Sequence, residues 1–311
     1  MSSTTTVTRE SAMIPDQQQS SLDQQARRHV KTTVNYWKSD ADRTPAMDKS
    51  KPFLDRKMAF VRYQMDHEDV QPVLVHDIRG REDDFTLDKQ GFQLCRRQIQ
   101  TQSFTDEEHI KDSYYKEVEN LLKETTGATK IHIYDHHIRS LSFEASLTAP
   151  PIEDSLDLPG PVRSVHIDDT PASARLVIRK NFPPSEAAHL LATPFSLINV
   201  WRPLAPVRKD PLALADARTV QPHGRVEALL PTPDGEDIAI YQIRASAEHR
   251  WWFVSEQRPE EVWLFKIFDS DDEGGFLGVP DTSFVERGTE GAEVRESVEV
   301  RCLCFFEGKG V

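Results

Sequence analysis

The sequence predicts a mainly β fold, a sandwich or open barrel with a few flanking helices. Three observations carry that prediction. Short apolar runs with strand-like spacing recur through the C-terminal part, at 195–201, 238–244, 251–254, 262–268 and 297–306. Turn signals such as Pro233-Asp234-Gly235 and Gly274-Gly275 separate them. Many short strands beside few helical stretches argue for packed or closed sheets. The chain has 311 residues, 38% of them hydrophobic, which is enough apolar material for a sizeable core in one large domain. No fixed-period repeat is present.

The elements follow in order. Residues 1–26 are rich in Ser, Thr and Gln and lack apolar periodicity, so they read as a mobile arm. Order is expected from near Thr32, in Thr32-Thr33-Val34-Asn35-Tyr36-Trp37, which gives an arm over 1–30 and a single domain over 31–311. From 57 to 98, short β-type runs alternate with turn residues, for example Pro72-Val73-Leu74-Val75-His76-Asp77. One helix stands out: Thr105 with Glu108 forms a capping-box pattern, Ile110, Tyr114, Val118, Leu121 and Leu122 keep helical spacing, and Gly127 supplies a stop. Ile131-His132-Ile133-Tyr134-Asp135-His136 then alternates as a strand. Pro150, Pro151, Pro159 and Pro161 mark a connection to a second strand-like run at 162–168, and a short helix is expected around 185–191.

Charge and cysteine content narrow the class. Lys plus Arg number 38 and Asp plus Glu 51, a formal net charge of −13, which argues against nucleic acid or an anionic membrane as the main partner. No run approaches the roughly 18 apolar residues of a membrane span, and the polar N-terminus lacks a signal-peptide pattern. Cys95, Cys302 and Cys304 cannot build a disulfide framework; the last two would share one face of a strand. A reduced, cytoplasmic setting is expected, with a small-molecule partner and a homodimer compatible with the composition. No P-loop, dinucleotide-binding glycine fingerprint or Gly-x-Ser-x-Gly elbow is present.

The stretch richest in chemistry is Arg163-Ser164-Val165-His166-Ile167-Asp168-Asp169-Thr170. On a strand His166 and Asp168 project to one side, and an imidazole and a carboxylate so placed can chelate one metal ion. His-x-Asp alone is common by chance and equally describes a surface hydrogen-bonded pair.

The order of further segments resembles the fungal secondary-metabolite hydroxylase/desaturase family, which includes gibberellin desaturase-like and cephem-methoxylase-like proteins. The residues that carry the resemblance begin with Thr33-Val34-Asn35-Tyr36, His76-Asp77-Ile78-Arg79-Gly80 and Phe85-Thr86-Leu87-Asp88 with Gly91-Phe92. They continue through Asp135-His136 with Arg139, Val165-His166-Ile167-Asp168 and Ile198-Asn199-Val200-Trp201-Arg202-Pro203-Leu204, the most specific block. Asp210-Pro211-Leu212-Ala213, Asp216-Ala217-Arg218, the stretch 261–270 and the stretch 295–301 complete the series. The resemblance covers the chain from about residue 32 onward. It implies a double-stranded β-helix (jelly-roll or cupin-like) core and, in typical members, iron(II), 2-oxoglutarate and O₂.

One departure bears on the chemistry. Typical members carry Pro-His-Thr-Ala-Phe where this chain has Pro280-Asp281-Thr282-Ser283-Phe284, so the expected third metal ligand is Asp281 rather than a histidine. His166, Asp168 and Asp281 would form a harder, more negative ligand set that favours Mg²⁺, Mn²⁺ or Ca²⁺ relative to Fe²⁺, or holds no metal. Without metal, Asp168 and Asp281 would share a pocket as an acid–base pair beside His166. By the same resemblance Arg295 occupies the place of the residue that binds the far carboxylate of 2-oxoglutarate; Arg301, six residues on, would face the same side.

Asn199 and Trp201 share strand parity and are expected near the substrate, with Trp201 equally suited to plain core. His136 and its neighbour His137 could approach the pocket from the end of their strand. His249 and His223 are the distal histidines that could replace the missing ligand. Trp251, Trp252 and Trp263 suit either core or an apolar metabolite. Asp269, Asp271, Asp272 and Glu273 lack the ligand ladder of a calcium loop and read as a solvated turn. Three functions remain open: a hydroxylase or desaturase, a non-redox enzyme for isomerisation, dehydration or cyclisation, and a metabolite-binding protein.

Overall fold

The computed structural model describes residues 28–38, 47–101, 103–149, 159–271 and 278–308. The expected arm up to residue 27, the connection at 150–158 and the acidic turn at 272–277 lie outside the described residues. Thirteen strands form two sheets among the described residues. The larger runs in the order β1 (Val30–Trp37), β2 (Glu68–Asp77), β10 (Trp251–Phe253), β7 (Leu212–Ala215), β12 (Asp281–Ser283), β5 (His166–Ile167), β9 (Ile238–Ile243), β8 (Arg225–Leu230). The smaller runs β3 (Phe92–Arg96), β11 (Glu261–Asp269), β6 (Phe195–Pro203), β13 (Ser297–Phe305), β4 (Lys130–Arg139). Apart from the parallel β2–β10 contact, the paired strands are antiparallel. This is the expected jelly-roll core.

Strand parity divides the apolar residues between two cores. Phe195, Leu197, Trp201, Leu303 and Phe305 face the larger sheet and pack with Trp263, Phe265, Ile167 and Leu214. Ile198, Val200, Val298, Val300, Cys302 and Cys304 face outward, under a helix carrying Val118, Leu121 and Leu122. Every residue of β6 is therefore buried, as a central strand covered on both faces must be. Cys302 and Cys304 share the outer face and are free thiols, as their spacing predicts.

The helices depart most from expectation. Residues 53–66, read as β-type from Lys57 onward, form helix α1 (Phe53–Asp66), whose inward face includes Arg56 and Lys57 and so breaks the apolar pattern. Arg56 is held by Asp237 at 3.1 Å and the Thr232 carbonyl at 2.8 Å. Helix α2 comprises Glu107–His109, a π-helical turn Ile110–Tyr114 and Tyr115–Thr126, and ends at Gly127 with φ 71°. Helices α3 (Pro171–Asn181) and α4 (Pro184–Leu191) precede β6. The signal for α3 was a capping box in which Thr170 and Ser173 bond each other's backbone N–H.

Asp106, not Thr105, caps α2. Its carboxylate accepts from the backbone N–H groups of Glu108 and His109, whereas the Thr105 hydroxyl bonds Ser103. Asp106→Ala is therefore expected to lower stability by about 1 kcal/mol and Thr105→Ala by only a few tenths, measured by urea unfolding.

His249 gives the stability a pH dependence. Its Nδ1 lies 3.0 Å from the Tyr36 hydroxyl, which also accepts from Trp251 Nε1 at 2.8 Å, so Tyr36 donates to a neutral imidazole. Burial lowers the His249 pKa to about 4. The unfolded chain takes up the proton first, so this contribution is intact above pH 6.5 and is lost as pH falls towards 4. With partial exposure discounted, the loss is about 1–2 kcal/mol. His249→Gln should show a smaller drop in urea midpoint between pH 7.5 and pH 5 than the parent protein.

Candidate active site

Only two residues of the run 162–168 form a strand, β5, but they lie between β9 and β12. Gln242, His166 and Asp281 consequently form one cross-strand row, and directly opposed residues share a face with Cβ atoms about 5 Å apart. Gly278 brings β12 in: a Cβ there would lie 2.2 Å from the Ile267 carbonyl oxygen and 2.6 Å from Ile167 Cγ2, and φ is +99°. Local sequence explains the His166–Asp168 pair; the ladder alone supplies Asp281.

His166 Nδ1 is 2.9 Å from the Ser164 carbonyl oxygen, which can only accept, so Nδ1 carries the donated proton and Nε2 faces the carboxylates. Nε2 lies 3.4 Å from Asp168 Oδ1 and 4.0 Å from Asp281 Oδ1. Asp168 follows β5, and its other oxygen, Oδ2, accepts from Asn199 Nδ2 at 2.8 Å and pairs with Arg301 at 3.3 Å. Asn199 and Arg301 are directly opposed on β6 and β13, so the inner face of the smaller sheet holds the carboxylate that the larger sheet presents.

The electrostatics follow from burying three carboxyl groups with too little positive charge. Burial alone would depress the His166 imidazole, but Asp281 and Asp168 outweigh it and raise the pKa to about 10. Burial raises Asp281 to about 7 despite His166, with Asp168 and Glu299 pushing the same way. Asp169 is likewise pushed up to about 7, by burial and then by Asp168.

Arg295 is buried within electrostatic reach of Asp281. It donates to the Asp210 carbonyl at 2.7 Å and its guanidinium lies 5.3 Å from the Trp201 ring centroid. Burial, then Arg139, lowers its pKa to about 10. Arg295 Nε and Ser297 Oγ, two residues apart, are both buried without a hydrogen-bond partner among the described residues.

A cavity of about 230 Å³ opens beside His166 and Asp168. Phe60, Val61 and Gln64 of α1, Val177 of α3 and Ile238 and Ile240 of β9 contribute to its wall. Asp281 does not line it. Neither do Asn199 and Trp201, both expected at the substrate: Asn199 holds Asp168 and Trp201 underlies Arg295. His136 is turned away altogether, with Nδ1 2.8 Å from the Tyr115 hydroxyl on α2. A bulge is the reason. Between Asp135 and Ile133 the β13 register skips Tyr134, which reverses parity, so His137 faces inward and lies 2.9 Å from Asp135. His249 pairs with Tyr36 and His223 sits exposed in a short turn, so neither joins the centre. The sequence reading missed the wall supplied by α1, together with Tyr134, Asp169 and Glu299.

The centre can be compared with what a metal and a dicarboxylate require. Among the described residues no group of three His, Cys, Asp or Glu side chains stands at separations that close on a metal ion. Orientation and charge nonetheless suit a divalent cation: Nε2 of His166 and one oxygen of Asp168 are turned inward, their other atoms held by outer partners, and negative charge is in excess. The unmet donors of Arg295 and Ser297 suit a carboxylate.

Residues 34–305 match the family described as an oxidoreductase/YMDC permease-like domain. No helix among the described residues is long and apolar enough to cross a membrane. The hydroxylase/desaturase efuI of Hormonema carpetanum is 35% identical over 293 residues, 89% of this chain and 95% of that protein. The alpha-ketoglutarate-dependent dioxygenase phiK of a fungal sp. (strain ATCC 74256) is 34% identical over 252 residues, 79% of this chain and 88% of that protein. A solved structure of the iron and alpha-ketoglutarate-dependent endoperoxidase NvfI matches with a TM-score of 0.73 at 25% identity, covering 90% of this chain and 98% of that one. The fold is thus that of a jelly-roll oxidoreductase. Within that class the chain belongs to the fungal hydroxylase/desaturase family.

Proposed function

We propose that this protein is an oxygenase-type hydroxylase or desaturase of a small metabolite, and that His166, Asp168 and Asp281 hold its divalent metal. The observation that carries the reading is the convergence of His166 Nε2 and two carboxylate oxygens, at 3.4 and 4.0 Å, beside an apolar cavity. Arg295, with Ser297, receives the far carboxylate of 2-oxoglutarate, and Arg301 positions Asp168. Iron with 2-oxoglutarate and O₂ supplies an oxidant able to take hydrogen from an unactivated C–H bond. The chain's own residues do the rest. Ser164 fixes the His166 ring, Asn199 and Arg301 fix Asp168, and the wall from α1 and β9 excludes water and holds the substrate.

A second reading is favoured by one observation: Asp281 is buried beside Asp168 and His166, and burial holds its carboxyl well above the usual carboxylate range, so one proton is shared within this group. A metal-free centre of this kind would isomerise, dehydrate or cyclise its substrate, with Asp281 and Asp168 as acid and base. The test is succinate formation from 2-oxoglutarate with and without Fe²⁺, together with metal analysis of protein purified without chelator. Iron-dependent succinate is expected, and Asp281→His should retain or raise iron content. Protein that holds no iron, forms no succinate and loses its reaction in Asp281→His overturns the oxygenase reading in favour of proton transfer.

A further inference from the structure

Asp169 lines the cavity without a partner of its own. Neighbouring residues of a strand face opposite ways, but β5 ends at Ile167 and the chain bends at Asp168, so Asp168 and Asp169 both border the same space. Among the described residues Asp169 makes no hydrogen bond or ion pair; beyond burial, only Asp168 and Arg301 act on it, through space. It is 6% exposed, yet its carboxyl oxygens are not sealed off as Arg295 Nε and Ser297 Oγ are. The surface they keep therefore faces the cavity that Asp169 lines. A carboxyl group buried without a donor is costly, and the missing donor has to come from the cavity.

The groups that could have met it inside the protein are engaged elsewhere. Thr170, not Asp169, caps α3, its hydroxyl accepting from the Ser173 N–H at 3.2 Å. Arg301 pairs with Asp168 at 3.3 Å, Glu299 at 3.5 Å and Asp135 at 3.9 Å. Lys180 pairs with Asp234 at 2.9 Å and Arg163 with Asp210 at 3.1 Å. Tyr134 borders the same cavity, and no hydrogen bond joins its hydroxyl to Asp169. The remaining wall, with Phe60, Val61, Val177, Ile238 and Ile240, suits a lipophilic body.

We infer that Asp169 is a substrate-binding residue, and that the substrate is a lipophilic compound whose O–H or N–H group donates a hydrogen bond to the Asp169 carboxyl. This rests on the cavity being the substrate site of the proposed enzyme. One polar contact on an apolar wall fixes orientation, and here it stands one residue from Asp168, so the donor end of the substrate is held close to the centre.

The test is binding of 2-decalol, 2-aminodecalin, 2-methoxydecalin, decalin and decalin-2-carboxylate to the full chain, measured by titration calorimetry. The alcohol or the amine should bind at least about fivefold tighter than the ether, and the carboxylate should bind weakest. A preference held by one donor alone identifies the group that the substrate carries. Asp169→Leu should remove the preference and leave decalin unchanged within about twofold. Asp169→Asn keeps a carbonyl acceptor, so it should hold the alcohol within about threefold and weaken the amine about tenfold. The alcohol-to-ether ratio is a readout that a merely structural role of Asp169 would not move, and the parent protein alone supplies it where a variant does not fold. Failure of both donors to outbind the ether, equal losses for decalin and the donors in Asp169→Leu, or a preference for the carboxylate would overturn the inference. None of these measurements requires iron or turnover. Succinate formation without donor selectivity therefore removes only this inference, and donor selectivity without succinate formation removes only the oxygenase reading.

Discussion

Asp168→Ala is expected to lower turnover by on the order of 10³-fold or more while leaving the circular dichroism spectrum unchanged. The carboxylate is the point at which both sheets meet: one oxygen faces His166, and the other accepts from Asn199 and pairs with Arg301. Its removal strips His166 of its nearer anionic partner and takes from the largely buried Arg301 a carboxylate nearer than Glu299 and Asp135. Metal retention should fall in parallel, which separates this loss from a fault in substrate binding. Asn199→Ala touches only the outer oxygen, so a loss of about 10- to 100-fold is expected. An Asp168→Ala protein that turns over at the parent rate would place the chemistry elsewhere.

Gly278→Ala is expected to destabilise the fold by about 3 kcal/mol or more. Two penalties combine. The added Cβ would fall 2.2 Å from a backbone carbonyl oxygen and 2.6 Å from Ile167, and the φ of +99° disfavours any L side chain. Neither neighbour can swing aside cheaply, because Ile167 is fully buried next to His166 and the carbonyl belongs to β11. Gly80→Ala is the control: its φ of +75° carries the same kind of penalty, but nothing lies within 4 Å, so a cost of about 1 kcal/mol is expected. Differential scanning calorimetry should show a much larger fall in Tm for Gly278→Ala. Equal shifts in the two variants would mean that β12 is not clamped against β11 and β5.

Particular residues show where sequence reading succeeds. The strands over 195–203 and 297–305 were legible because apolar residues recur along each with strand-like spacing, and parity alone placed Cys302 and Cys304 together. The His166–Asp168 pair was legible because two residues apart on an extended chain face one way, even where the strand has ended. Parity failed at His136, because one bulged residue, Tyr134, exchanged the faces of everything after it. Helix α1 was misread because buried Arg56 and Lys57 look like surface residues until Asp237 and the Thr232 carbonyl are brought beneath Arg56.

The sequence by itself determined the mainly β architecture, the helix ending at Gly127, the local His166–Asp168 pair and, through its motif blocks, family membership. Periodicity and short-range spacing are encoded in adjacent residues. Tertiary structure alone decided that Asp281 and Gln242 flank His166, that Asn199 and Arg301 hold Asp168 from the opposite sheet, and that α1 walls the cavity. Those contacts join segments tens to more than a hundred residues apart, and their register depends on ladder pairing, on a glycine and on a single bulge, none of which leaves a periodic trace in the chain.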